Sequence, residues 1–135
     1  MSEVTAAPVP LRSATGQRVL VVDDNADAAA TLAGILQSCG CEVQTAADGE
    51  EAIARTLAFE PHVIFMDIAM PRLNGVEATR RLRSFPQGRR ARIVALTGWD
   101  QEEDRLLALS AGMDDHLVKP VSLEALTSAL ASARP

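Results

Sequence analysis

Five side chains of this sequence could carry chemistry together. Asp23 and Asp24 follow the apolar run Val19-Leu-Val-Val22, Asp67 follows His62-Val-Ile-Phe-Met66, Thr97 follows Ile93-Val-Ala-Leu96, and Lys119 follows His116-Leu-Val118. Three carboxylates gathered in one place repel one another unless something positive joins them. Oxygen-only donors suit a hard cation, and Mg2+, which keeps several waters and takes one or two carboxylates with a phosphate oxygen, fits better than zinc. A metal, an ammonium and a hydroxyl around one carboxylate equip a site to bind a phosphoryl group. One aspartate after a strand is ordinarily a turn or cap residue, so the case rests on all five converging. Lys119 is also the single lysine among thirteen basic residues, the other twelve being arginine.

Convergence depends on the elements that hold these groups. Short apolar runs predict strands over Arg18–Val22, Cys41–Thr45, His62–Met66, Ala91–Leu96 and His116–Val118. A helical pattern follows each. The first stops at Gly40, the second opens with Asp48-Gly-Glu-Glu51, and the third starts at Asn74-Gly75 and ends at Pro86-Gln-Gly88. The fourth opens with Asp100-Gln-Glu-Glu103 and the fifth at Ser122. Strict alternation means a parallel sheet covered on both faces. Strands 1, 3 and 4 are continuously apolar and belong inside, whereas strands 2 and 5 carry polar residues and belong at the edges. The expected fold is α/β and flavodoxin-like: a doubly wound, five-stranded parallel sheet in the order 2-1-3-4-5 with five helices. Ligands of such sheets bind beyond the carboxyl ends of the strands, where all five groups fall.

The chain has 135 residues, 47% of them apolar, which predicts one domain and excludes intrinsic disorder. Residues 1–16 read as a loose tail and 17–135 as the domain. No apolar run approaches the ~20 residues of a membrane span, and no secretion signal opens the chain. Thirteen basic and eighteen acidic residues give a net charge of −5, against nucleic acid as the main partner. The cluster Arg80, Arg81, Arg83, Arg89, Arg90 and Arg92 has only Phe85 among it and reads as a solvated rim or a partner contact. Cys39 and Cys41 are too few for a structural zinc site and too close for an unstrained disulfide. They are expected as partly buried thiols in a reducing cytoplasm.

The runs Val19-Leu-Val-Val-Asp-Asp-Asn25, Phe65-Met-Asp-Ile-Ala-Met-Pro71 with Asn74-Gly75, Ala95-Leu-Thr-Gly98 and Leu117-Val-Lys-Pro120 strongly resemble the receiver domain of two-component response regulators. The resemblance covers about residues 18–133. Gly98-Trp-Asp-Gln-Glu-Glu-Asp104 with His116-Leu-Val-Lys-Pro120 looks most like receivers at the ends of hybrid sensor kinases, in a free-standing form. It implies that Asp67 is the phospho-acceptor, taking a phosphoryl group from a phosphohistidine of a sensor histidine kinase or phosphotransfer protein. Asp24, Asp67 and the backbone carbonyl of Ala69 would hold Mg2+, with Asp23 acting through water and Mn2+ able to substitute. Thr97 and Lys119 would contact phosphoryl oxygens, and Thr97 and His116 would form the switch. Ala69 and Trp99 would flank the path of a hydrolytic water, neither offering a polar group to guide it. The Lys119–Pro120 bond would be cis. Such a protein catalyses only its own phosphorylation and dephosphorylation.

Sixteen residues follow Lys119, room for one helix and no output domain. The expected mode of action is therefore docking in the cytoplasm, without DNA or membrane. Its surface would be the fourth helix, fifth strand and fifth helix, about 101–109, 116–118 and 123–130. Two other readings stand beside this one. A haloacid-dehalogenase-type phosphatase would call for a second Asp two residues after the nucleophile, where this chain has Ala69. A degenerate receiver that only binds partners would not need the complete acceptor set. Nucleotide binding lacks any glycine-rich phosphate loop.

Overall fold

Alternation along the central strands divides the core between two faces. Val19, Val21, Val63, Phe65, Val94 and Leu96 face one way, packing with Ala29, Leu36, Leu126 and Leu130. Leu20, Val22, Ile64, Met66, Ile93 and Ala95 face the other way, against Ala52, Ala78, Leu82 and Ala108. The computed structural model describes residues 16–68, 75–98 and 102–132, with the backbone alone at 102–104 and 132. Its strands are β1 (Arg18–Val22), β2 (Glu42–Ala46), β3 (Val63–Asp67), β4 (Arg92–Thr97) and β5 (Asp115–Val118). Helices α1 (Ala26–Ser38) and α6 (Leu123–Ser132) supply the residues covering the first face. Those covering the second come from α2 (Gly49–Phe59), α3 (Gly75–Leu82) and α5 (Glu102–Ala111). All strand pairs are parallel, in the order β2-β1-β3-β4-β5. The edge strands β2 and β5 are the ones left partly exposed, as their polar residues require.

The expectation of five helices is corrected by a sixth among the described residues, α4 (Pro86–Arg90). Pro86-Gln-Gly88 reads as a break, yet it starts a helix. Pro at the first position has the right φ, and its missing N–H is one that no helix bond would use. Gly88 lies so close to the main chain of Leu82 that a Cβ there would strike the Leu82 carbonyl. Arg83 locks the corner. Its Nε donates to Gly112 O at 2.8 Å, Nη1 to the carbonyls of Gly88 and Ala91, and Nη2 to Asp114 Oδ2 at 2.9 Å. That oxygen of Asp114 also accepts from Ile93 N.

Cys39 and Cys41 are buried on either side of Gly40, whose φ of 92° forms the left-handed end of α1. Burial, reinforced by the neighbouring Cys39, pushes the Cys41 thiol up to about 11, so almost no reactive thiolate exists at neutral pH. At the amino edge of the sheet, His62 Nδ1 accepts from Arg18 N at 2.9 Å. Desolvation, then the Arg18 charge, lowers the His62 pKa from its ordinary value of about 6.5. The unfolded chain therefore takes up this proton more readily than the folded one. The stabilisation is complete above about pH 6.5 and is lost as pH falls through the lowered folded value. Urea melts between about pH 7.5 and 5 should show a smaller acid-side loss of stability in His62→Gln than in the wild type. Equal losses would show that His62 contributes nothing to the pH dependence.

Candidate functional site

A parallel sheet brings the carboxyl ends of its strands to one edge. Here that edge carries Asp23 just after β1, Asp67 closing β3, Thr97 closing β4 and Lys119 just after β5. The carboxylates of Asp23, Asp24 and Asp67 each offer an oxygen within 4.8 Å of the others; Asp23 and Asp67 are buried and Asp24 is exposed. Asp23 is held from three sides. Its N–H donates to Ala46 O at 3.0 Å, Oδ1 accepts from Asn25 N at 2.9 Å, and Oδ2 accepts from Lys119 Nζ at 3.0 Å. Asn25 also caps α1, its Oδ1 accepting from Ala28 N.

Lys119 Nζ lies 3.6 Å from Asp67 Oδ2 as well. Burial alone would lower its pKa, but the hydrogen bond to Asp23 and the charges of Asp67 and Asp23 outweigh it and raise the value, so the ammonium persists. Lys119 N donates to Thr97 O at 2.8 Å, which ties the ends of β5 and β4, and the Lys119–Pro120 bond is cis. The Thr97 hydroxyl is buried and has no hydrogen-bond partner among the described residues. A buried hydroxyl without a partner is costly. Thr79 Oγ1 in α3 shares that state; Thr97 differs in closing β4, the strand paired with β3. His116 is half-buried in β5 opposite Ala95, two residues before Val118, the partner of Thr97. Ala69 and Trp99 lie outside the described residues.

Two contributors were not singled out from sequence. Asn25 reads only as part of a motif, yet it braces Asp23. Gly75 reads as a helix start, yet its lack of a side chain lets α3 press against the acceptor strand. A Cβ there would meet the Asp67 carbonyl oxygen, Ile68 Cα and Met66 Cγ. Gly75→Ala should therefore destabilise the fold by about 1–3 kcal/mol and displace the main chain of Asp67. Thermal melts and amide spectra check this; an unaltered melting temperature would show that the contact yields freely.

The donor chemistry fits Mg2+: oxygen ligands only, three carboxylates against one ammonium, and an orphan hydroxyl alongside. A flavodoxin-like sheet that brings an acidic cluster, a hydroxyl and a lysine to one edge defines a phosphorylation-dependent receiver of two-component signalling. The chain belongs to the response regulator receiver domain family, whose model matches residues 19–131. It is 38% identical over 110 residues to the alkaline phosphatase synthesis transcriptional regulatory protein PhoP of Bacillus subtilis, covering 78% of this chain and 43% of that one. The chain spans about half the length of the curated relatives it matches, at 43% and 48% for two of them. Among solved structures, it resembles the receiver domain of sensor histidine kinase PA1611 from Pseudomonas aeruginosa, which has a magnesium ion coordinated in its active-site cleft. The TM-score is 0.79 at 37% identity, over 86% of this chain and 95% of that one. It also resembles the receiver domain of the Saccharomyces cerevisiae response regulator Ssk1, solved with the histidine phosphotransfer protein Ypd1. Here the TM-score is 0.79 at 32% identity, over 86% and 87% of the two chains. Among the described residues no helix is long and apolar enough to cross a membrane.

Proposed function

We propose that Asp67 accepts a phosphoryl group from the phosphohistidine of a sensor histidine kinase or a phosphotransfer protein. The observation that carries this reading is the placing of one buried carboxylate among Asp23, Asp24 and the Lys119 ammonium, with the unpartnered Thr97 hydroxyl at the next strand end. An Asp67 carboxylate oxygen forms the new O–P bond as the P–N bond to the donor breaks, and the imidazole leaves with that electron pair. Asp24, Asp67 and the Ala69 carbonyl would hold Mg2+, or Mn2+ in its place, with Asp23 acting through water. The bound cation supplies positive charge against the phosphoryl oxygens. Lys119 neutralises a further phosphoryl oxygen, and Thr97 donates its hydroxyl to another. Drawing the Thr97 hydroxyl towards the phosphoryl group frees space that the His116 ring fills, a two-state change biased by local charge.

The chain catalyses only its own phosphorylation and dephosphorylation, with residues 17–135 as the receiver unit. Downstream docking uses α5, β5 and α6, where Leu106, Leu107, Leu109 and Leu123 are exposed. Two buried cysteines suit the reducing cytoplasm, where the protein works without binding DNA or membrane. Acetyl phosphate with Mg2+ should add one phosphoryl group, read by intact mass, and EDTA should abolish the addition. Equal labelling in EDTA would refute the metal-dependent reading, and sustained release of phosphate from an unrelated phosphomonoester would favour the phosphatase.

A further inference from the structure

The six arginines between Arg80 and Arg92 are not accounted for by the acceptor site. That stretch carries no acidic residue, while the other 122 residues hold seven basic and eighteen acidic side chains, a net −11. The fold absorbs two of the six: Arg83 in the α3–α4 corner, and Arg92, which pairs with Asp115 at 3.5 Å. Four remain on the surface. Arg80 and Arg81 share Glu77 at 3.7 and 3.9 Å, Arg81 also reaches Glu50 at 4.0 Å, and Arg90 reaches Glu60 at 3.8 Å. Arg89 forms no ion pair among the described residues. These pairs are long and exposed, so they hold the guanidinium groups only loosely, and the face carries more guanidinium than carboxylate.

Between α2 and α3 runs a groove of about 490 Å³, lined by Ile53, Ala54, Leu57, Ser84 and Phe85, with Glu50 and Arg81 at its rim. Arg81 stands by Glu50 at the start of α2, and Arg90 stands by Glu60 just past its end. The groove thus has an apolar floor with Arg81 at its rim, and Arg90 lies outside the lining, beside Glu60 just past the far end of α2, a helix about 16 Å long. Arginine with an aromatic and aliphatic floor is the composition of a protein interface. A nucleic-acid surface would call for stacking aromatics, and Phe85 is the sole aromatic of the stretch.

We propose that the α2–α3 groove is a docking site for a helix of a partner protein. That helix would carry an apolar stripe for Ile53, Leu57 and Phe85, and carboxylates that take bidentate hydrogen bonds from Arg81 and Arg90. The surface is separate from the α5–β5–α6 face, so the two could be occupied together.

The test titrates the full chain with a synthetic helical peptide of about three turns, with Leu on one face and Glu flanking it, and follows amide shifts. Shifts confined to α2, α3 and α4 are expected. The double variant Arg81→Glu/Arg90→Glu should weaken binding by about tenfold or more while labelling by acetyl phosphate stays at the wild-type rate. Ala54→Glu, on the exposed groove floor, should weaken it too. A scrambled peptide of the same composition should bind at least about tenfold more weakly. The proposal is overturned if the scrambled peptide or a DNA duplex binds equally well, if the reversals leave affinity unchanged, or if the shifts lie elsewhere. It is equally overturned if no shifts appear at about 1 mM peptide, or if they prove to report self-association of the chain.

Discussion

Asp67→Asn is expected to carry no phosphoryl group after incubation with acetyl phosphate and Mg2+, under conditions that fully label the wild type. The amide removes the anionic oxygen that must attack phosphorus, while keeping the shape of a side chain buried at the end of β3. Folding should survive, because removing one of three mutually repelling carboxylates relieves strain, and Lys119 keeps its 3.0 Å contact with Asp23. Circular dichroism and thermal melts should therefore match or exceed the wild type. Substantial labelling of this variant would place the acceptor elsewhere.

Lys119→Arg should bind Mg2+ close to normally and still lose most of the phosphorylation-dependent change in amide shifts. In the resting protein Lys119 Nζ is a compact charge 3.0 Å from Asp23 Oδ2 and 3.6 Å from Asp67 Oδ2. A guanidinium spreads the same charge over a wide planar fork, which cannot occupy that point between two carboxylates and a phosphoryl oxygen. Lys119→Ala should lose the response as well. Mg2+ titrations and the spectral change with beryllofluoride decide the matter on both variants. A fully responsive Lys119→Arg would show that charge alone suffices.

The gathering of Asp23, Asp24, Asp67 and Lys119 was legible because it depends on residue types at strand ends. Unbroken apolar runs at 19–22, 63–66 and 93–96 could only be interior strands, and parallel interior strands must deliver their last residues to one edge. The bracing of that edge was less legible. Asn25 and Gly75 act through main-chain proximity, which a sequence does not display: a 2.9 Å hydrogen bond to Asp23, and the approach of α3 to Asp67 O. Helix α4 was misread for the same reason. Pro86-Gln-Gly88 has the composition of a break, but Pro86 suits the first position of a helix and Gly88 leaves room for the main chain of Leu82. The six arginines look alike in sequence, yet four main-chain and side-chain acceptors single out Arg83 as part of the fold.

The most direct measurement is the location of the phosphoryl group. Borohydride converts an aspartyl phosphate to homoserine, so treating the phosphorylated wild type and sequencing its peptides by mass spectrometry reads the position of the acceptor. Homoserine at position 67, absent without phosphorylation and absent when Mg2+ is removed, is the expected result. Homoserine at position 23 or 24 instead, or a phosphoryl group found on His62 or His116, would contradict the assignment of Asp67.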